Sequence, residues 1–165
     1  MGGLALFTAD TLTIRADPVF KHCLHKVQVE EAVQLALGDG IVPGKLRSYR
    51  LDAGKFEATS SSSLTWRHPR IQMIFDVQGQ GPPFRSGIVT AEAKKVSGSF
   101  PPKLRTTILK IDYETGDEGT GGNVEGDATI WIRGSEGDYN RVSSRSGLAL
   151  SSLASNMHIN KAAAK

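Results

Sequence analysis

The fold is decided by the stretch IQMIFDV at Ile71–Val77, in which apolar residues at positions 71, 73, 75 and 77 alternate with Gln72 and Asp76. Residues two apart lie on the same face of a strand, so this spacing predicts a strand with one buried face. The following loop, Gln78–Pro83, contains two glycines and two prolines. A sheet interior does not accept such a sequence, so we expect an exposed connection there.

Alternation of the same kind predicts further strands on both sides of this stretch, at 11–16, 46–51, 55–59, 88–96, 106–113 and 129–133. Two short helices are predicted from apolar residues at helical spacing, around Val27–Leu37 and at Leu150–Met157. The segment 134–146 is polar and rich in turn formers, so it predicts irregular structure. About six mostly consecutive strands and two helices indicate an α+β fold with a mainly antiparallel sheet.

The size and composition are those of one globular domain. The chain has 165 residues, 39% hydrophobic and 22% charged, and we predict a single domain over residues 1–165. The N-terminal residues lack the basic and long apolar regions of a secretory signal, and the one cysteine cannot form an internal disulfide. We therefore predict an intracellular protein that is not secreted. The C-terminal residues 158–165 are predicted to be a flexible tail.

Charge is distributed unevenly along the chain. Residues 112–127 contain six acidic and no basic residues, whereas the whole chain has a formal charge of +3, so the remainder carries +9. The glycine-rich part of this segment, 115–127, is predicted to be an acidic loop. A basic body joined to an acidic segment indicates contact with polyanions or between copies of the chain, although a solvated loop on a mildly basic domain explains it equally well.

Motifs for catalysis and nucleotide binding are missing from the sequence. It contains no G-x-S-x-G turn and no P-loop, and the glycines at 119–122 do not complete G-x-G-x-x-G. We therefore predict that the protein is not an enzyme, needs no cofactor and takes no small-molecule substrate.

One cluster of metal-binding residue types is present. The stretch HCLH at His22–His25 places three donors within four residues, and His68 or His158 is a candidate fourth ligand. Contiguous donors rarely all point at one ion, and no C-x-x-C partner exists. We predict a solvent-facing histidine pair beside a buried Cys23 and no bound metal.

Basic residues form three groups that suggest a surface for phosphate or anionic lipid, the alternative being a solvated basic face. Trp66 beside Arg67 and Tyr49 beside Arg50 are candidates for stacking. The predicted polyanion-binding residues are Lys45, Arg47, Arg50, Arg67, Arg70, Lys94, Lys95, Lys103 and Arg105.

The order of elements resembles that of rhabdovirus matrix proteins, in particular those of plant-infecting members. The stretches that carry the resemblance are LTIR at 12–15 before a helix with EAV at 31–33, and TILKIDYE at 107–114. The resemblance implies a viral structural protein of the virion and host cytoplasm that self-associates into a homo-oligomer. It also implies a bridge between the nucleocapsid, or its RNA, and an anionic membrane surface. The exposed loop with Pro82, Pro83 and Phe84 is the predicted self-association site, although GPPF at 81–84 lacks the tyrosine of a P-P-x-Y budding motif.

Two other functions remain open. A jelly-roll viral coat or movement protein that binds RNA directly agrees with the glycine, serine and threonine content and the consecutive strands. A small metal-dependent enzyme would need a pocket that joins His22, His25 and His68.

Overall fold

The structure is a computed structural model that describes residues 13–58, 63–96, 103–115 and 126–146. The chain divides into two compact units, Met1–Arg133 and Gly134–Lys165. The single domain over residues 1–165 stays a prediction. Most of the predicted acidic loop at 115–127 lies outside the described residues, as do the predicted helix at 150–157 and the tail at 158–165.

The described residues form three helices and seven strands, and the α+β fold predicted from the sequence is confirmed. None of these helices is long and apolar enough to cross a membrane. The elements are α1 (Ala16–Val29), α2 (Glu31–Leu37), β1 (Val42–Asp52), β2 (Lys55–Ala58), β3 (Leu64–Arg67), β4 (Arg70–Gln78), β5 (Ser86–Val96), β6 (Lys103–Thr115), β7 (Gly126–Arg133) and, in the second unit, α3 (Glu136–Ser146).

The strands form one antiparallel sheet and one separate hairpin. Five strands lie in the order β1-β4-β5-β6-β7, and every neighbouring pair is antiparallel. Strands β2 and β3 pair only with each other, and we call this two-stranded sheet the hairpin. The sequence pattern does not predict strand β3, because this strand is four residues long and follows a run of serines.

The core lies between the sheet and the first two helices. Val19, Cys23 and Val27 recur every fourth residue along α1 and are fully buried, so they define its apolar stripe. Together with residues of α2 they pack on alternate residues of β4, β5 and β6, among them Phe75 and Leu109. We call this side of the sheet the helix-covered face.

The other side of the sheet, which we call the second face, also contains buried residues. Gln72 and Ile74 of β4, Thr90 and Glu92 of β5 and Ile108 of β6 all lie on this side, and each is less than 5% exposed. Both faces in the middle of the sheet are therefore buried, and the polar positions of the alternating pattern are not all solvated as the sequence suggests.

The structure corrects the sequence-based assignment at the first helix. The alternating pattern predicts a strand at 11–16, whereas Thr13–Arg15 are irregular and α1 begins at Ala16. Proline fits the first turn of a helix because its missing N–H would have no partner there, and an acidic residue favours the same turn. Asp17 and Pro18 therefore begin a helix, and the single helix expected around 27–37 is two helices that meet at Glu30.

A second correction concerns the predicted irregular segment at 134–146, which is helical from Glu136 to Ser146. Ser135 acts as its N-cap, because the Ser135 hydroxyl accepts a hydrogen bond from the backbone N–H of Asp138 at 3.3 Å. Two acidic residues, Glu136 and Asp138, lie in the first turn, where the helix dipole favours them. The capping residue and these charges offset the polar character of the sequence.

Candidate polyanion-binding site

Three cationic residues lie side by side at one end of the second face. Arg70 at the start of β4 is opposite Lys94 near the end of β5, and Lys94 is opposite Arg105 near the start of β6. Neighbouring strands lie about 4.8 Å apart, so the three backbone positions span about 10 Å. We call these three residues the cation ladder.

A β-bulge brings Arg105 into this row. The β5–β6 register shifts between Glu92 and Ala93, so that Thr107 is the extra residue. The Thr107 hydroxyl donates to the Glu92 carboxylate at 3.0 Å and lies 3.2 Å from the Glu92 carbonyl oxygen, which fixes the bulge. Without the shift Lys94 would face Thr106, and the ladder would end after two residues.

The cation ladder has no carboxylate partner. Within the described ranges, the side chains of Arg70, Lys94 and Arg105 form no hydrogen bond or ion pair. Asp52 lies opposite Arg70 on β1, but its carboxylate accepts a hydrogen bond from Arg50 Nε at 3.1 Å. Like charges directly opposite each other destabilise a sheet, so this arrangement costs folding free energy that an anionic ligand would offset.

The other predicted polyanion-binding residues do not join this row, with one exception. Lys103 is exposed on the same face of β6, two residues from Arg105, and extends the ladder along the strand. Lys45 is exposed near the start of β1, at the opposite end of the sheet. Lys95 points to the helix-covered face, where its Nζ donates to the Thr13 carbonyl at 3.3 Å.

Three of the predicted arginines lie in ion pairs. Arg47 is paired with Asp76 across β1 and β4, and Arg50 is paired with Asp52. Arg67 Nη1 lies 2.8 Å from Glu57 Oε1 within the hairpin. These three guanidinium groups therefore have anionic neighbours already, unlike those of the ladder.

The stacking residues expected from the sequence occupy different environments. Trp66 is half-buried, and its ring lies 4.9 Å from that of Phe56, with the two planes at 58°. Tyr49 is 52% exposed on β1. Glu57 accepts hydrogen bonds from Arg67 and Lys55, which together lower the pKa of this carboxyl below its ordinary value.

The predicted self-association residues lie in the loop between β4 and β5, which we call the proline loop (residues 79–85). This loop is at the opposite end of the sheet from the cation ladder, because it follows β4 and precedes β5. Its backbone is held by hydrogen bonds from Gln80 and Gly81 to the Asp39 carbonyl and from Arg85 to the Leu37 carbonyl. The side chains of Pro82, Pro83 and Phe84 are all exposed.

The candidate zinc ligands do not come together. Cys23 is completely buried in the core, whereas His22 is half-buried and His25 is exposed on α1. Partial burial, with the nearby Lys26 and His25, lowers the pKa of His22. Among the described residues no group of three His, Cys, Asp or Glu side chains could hold a metal ion. The part of the chain that the structure describes thus offers no cluster of ligands for the metal-dependent enzyme.

Sequence analysis missed a buried polar cluster beside the ladder. Glu92 is 4% exposed, and its carboxylate accepts hydrogen bonds from Gln72 Nε2 at 2.9 Å and from the Thr107 hydroxyl at 3.0 Å. Each carboxylate oxygen thus has a donor, and the cluster ties β4, β5 and β6 together next to Lys94. Gln72 and Glu92 alternate with apolar residues, so the sequence signal placed them in solvent.

The jelly-roll alternative does not agree with the topology. The described residues contain an open five-stranded sheet with two helices on one face, and a jelly roll has eight strands in two packed sheets. No protein-family model, curated protein or solved structure matches the chain. The site geometry is therefore the basis for assigning a function.

Proposed function

We propose that this is a non-enzymatic, matrix-like protein that binds phosphate-bearing polyanions through the cation ladder and associates with copies of itself. The observation that carries the proposal is the row formed by Arg70, Lys94 and Arg105, which face one another without a carboxylate partner in the described residues. Unpaired like charges at this spacing are unfavourable for folding, whereas successive phosphates of a polymer or a lipid surface would neutralise them.

The electrostatic mechanism needs no reaction chemistry. Phosphates that contact the ladder release bound counterions, so the affinity falls as the salt concentration rises. Lys103 adds a fourth charge beside Arg105, and the paired arginines contribute little because their carboxylate partners compete with the ligand. Binding is therefore expected to depend on a short row of residues and not on the total charge of the chain.

The proline loop supports self-association at the other end of the sheet. Phe84 is 62% exposed and has a φ of 56°, a left-handed conformation that is unfavourable for a phenylalanine. A loop fixed by backbone hydrogen bonds thus presents an apolar side chain to solvent. The nine-residue strand β4 separates this loop from the ladder by about 27 Å. A chain with contacts at both ends fits the bridging role that the resemblance to matrix proteins implies.

The test compares a ladder variant with a charge-matched control. The ladder variant carries Arg70→Gln, Lys94→Gln and Arg105→Gln, and the control carries three substitutions of exposed cations elsewhere, Arg15→Gln, Lys21→Gln and Arg133→Gln. Binding to a fluorescent oligouridylate and to phosphatidylserine vesicles is measured over a salt series.

We expect the ladder variant to lose about 100-fold in affinity for the oligonucleotide at 0.1 M salt, because three single-strand phosphate contacts each contribute about 0.7 to the logarithmic salt slope. The slope itself is expected to fall by about 2. Equal losses in the two variants would mean that only total charge matters, and no binding by the wild type to either ligand would overturn the proposed function.

A further inference from the structure

Two large apolar side chains are exposed in the hairpin, where the chain continues beyond the cation ladder. The last pair of β1 and β4 is Asp52 and Arg70, and the same two segments pair again as Lys55 and Arg67 in the hairpin. The hairpin therefore extends the β1–β4 ribbon past the end of the sheet that carries the ladder. Its strands pack chiefly on each other, and Phe56 and Leu64 are 67% and 73% exposed.

The hairpin has one apolar side and one charged side. Phe56 is opposite Trp66, and Ala58 is opposite Leu64, so alternation along the strands puts these four residues on one side. The Trp66 ring packs beside Gly54, where an added Cβ would lie 2.5 Å from its Cζ2 atom, and it contacts Phe56. The aromatic pair is thus held in place, while Phe56 and Leu64 present their outer surfaces to solvent.

The charged side of the hairpin is positive overall. Lys55 and Arg67 share one carboxylate, that of Glu57, and the Lys55 side chain is 62% exposed. The cation ladder begins three residues after Arg67, at Arg70. An exposed apolar side next to a row of unpaired cations is complementary to a surface with both hydrocarbon and negative charge.

We propose that the hairpin is the element with which this protein contacts an anionic lipid bilayer. Phe56 and Leu64 enter the boundary between head groups and acyl chains, while the cation ladder binds the lipid phosphates. The inference rests on the proposed function, because the same ladder supplies the phosphate contacts. It deepens that function by assigning the contact with the acyl chains to the two exposed apolar side chains of the hairpin.

The geometry favours a bilayer over stacked nucleic-acid bases. Base stacking needs the open face of an aromatic ring, and of the two exposed side chains Phe56 and Leu64 one carries a ring. Leu64, the more exposed of the two apolar side chains, has no ring to stack on a base. Hydrocarbon accepts leucine and phenylalanine equally well, and burying each of them is favourable.

The test measures binding to vesicles of phosphatidylcholine, alone and mixed with phosphatidylserine. The variant Phe56→Ser/Leu64→Ser is compared with Val29→Ser/Leu35→Ser, which removes two apolar side chains of similar exposure from the helices. We expect the hairpin variant to bind mixed vesicles on the order of 10- to 100-fold more weakly, and the helix variant to bind as the wild type does. Affinity of the hairpin variant for oligouridylate is expected to be unchanged.

Tryptophan fluorescence provides a second readout that leaves the hairpin intact. In the Trp131→Phe variant Trp66 is the remaining tryptophan of the two in the sequence, and its emission should shift to the blue when mixed vesicles are added. Equal vesicle binding by the two serine variants would overturn the inference, as would an unshifted Trp66 emission with bound vesicles. A wild type that binds oligouridylate but no vesicles would overturn it and leave the proposed function standing, whereas binding to neither ligand would remove both.

Discussion

Removing the central charge of the cation ladder should stabilise the protein while it weakens phosphate binding. Lys94 faces Arg70 on one side and Arg105 on the other, and each pair of like charges directly opposite costs a few tenths to about 1 kcal/mol. Lys94→Gln relieves both pairs, so we expect the free energy of unfolding to rise by about 1 kcal/mol at low ionic strength. For a protein of this size the melting temperature would rise by about 2–4 °C.

The salt dependence separates this effect from a general change in stability. The screening length falls from about 10 Å at 0.1 M salt to about 3 Å at 1 M, so the gain should largely disappear at high salt. Lys103→Gln is the matched control, because Lys103 lies opposite the uncharged Val96. Thermal denaturation of both variants at several salt concentrations measures the difference. A gain that is equal in the two variants, or that does not decrease with salt, would refute the reasoning about the ladder.

Three further predictions concern the core and the loops. Burial raises the pKa of the Cys23 thiol to about 11 from its ordinary value of 9.0. Because the thiol of the unfolded chain ionises first, the free energy of unfolding should be undiminished below pH 9 and fall by about 2–3 kcal/mol as the pH rises from 9 through 11. Urea denaturation across that range should show a shallower decline for Cys23→Ala, and parallel declines would contradict the assignment. Gly38→Ala should destabilise the first unit by more than about 2 kcal/mol, since Gly38 has a φ of 105° and an added Cβ would collide with the Gly81 carbonyl. The control is Gly137→Ala in α3, where the nearest atom to an added Cβ is 3.9 Å away. This substitution should not be destabilising. Phe84→Gly should leave the melting temperature unchanged or slightly higher, because it removes a left-handed phenylalanine that costs roughly 1–2 kcal/mol, and it should lower the mass of any oligomer measured by light scattering. An unchanged oligomer mass would show that Phe84 has no role in self-association.

The local patterns of the sequence predict the strands of the five-stranded sheet. Alternation over Ile71–Val77 and over residues 106–113 predicts β4 and β6, because residues two apart lie on the same face of a strand. The antiparallel α+β class follows from the consecutive order of such strands. The pattern misleads where one residue sets the local structure, as at Pro18, which lies in the first turn of α1, and at Ser135, which caps α3.

The candidate site, unlike the strands, depends mainly on the tertiary structure. The sequence supplies Arg70, Lys94 and Arg105, but these residues lie in two separate basic groups, and nothing local says which of them meet. The strand register decides which of these cations are neighbours, and the register depends on the bulge at Thr107 and on the contacts of the whole sheet. Pairing likewise neutralises Arg47 and Arg67 with carboxylates that are distant in sequence or on another strand. The sequence by itself therefore determines which chemical groups the protein has and which segments are strands. Only the tertiary structure decides which cationic side chains lie next to one another without a carboxylate partner. The reason is that this arrangement depends on contacts between residues far apart along the chain.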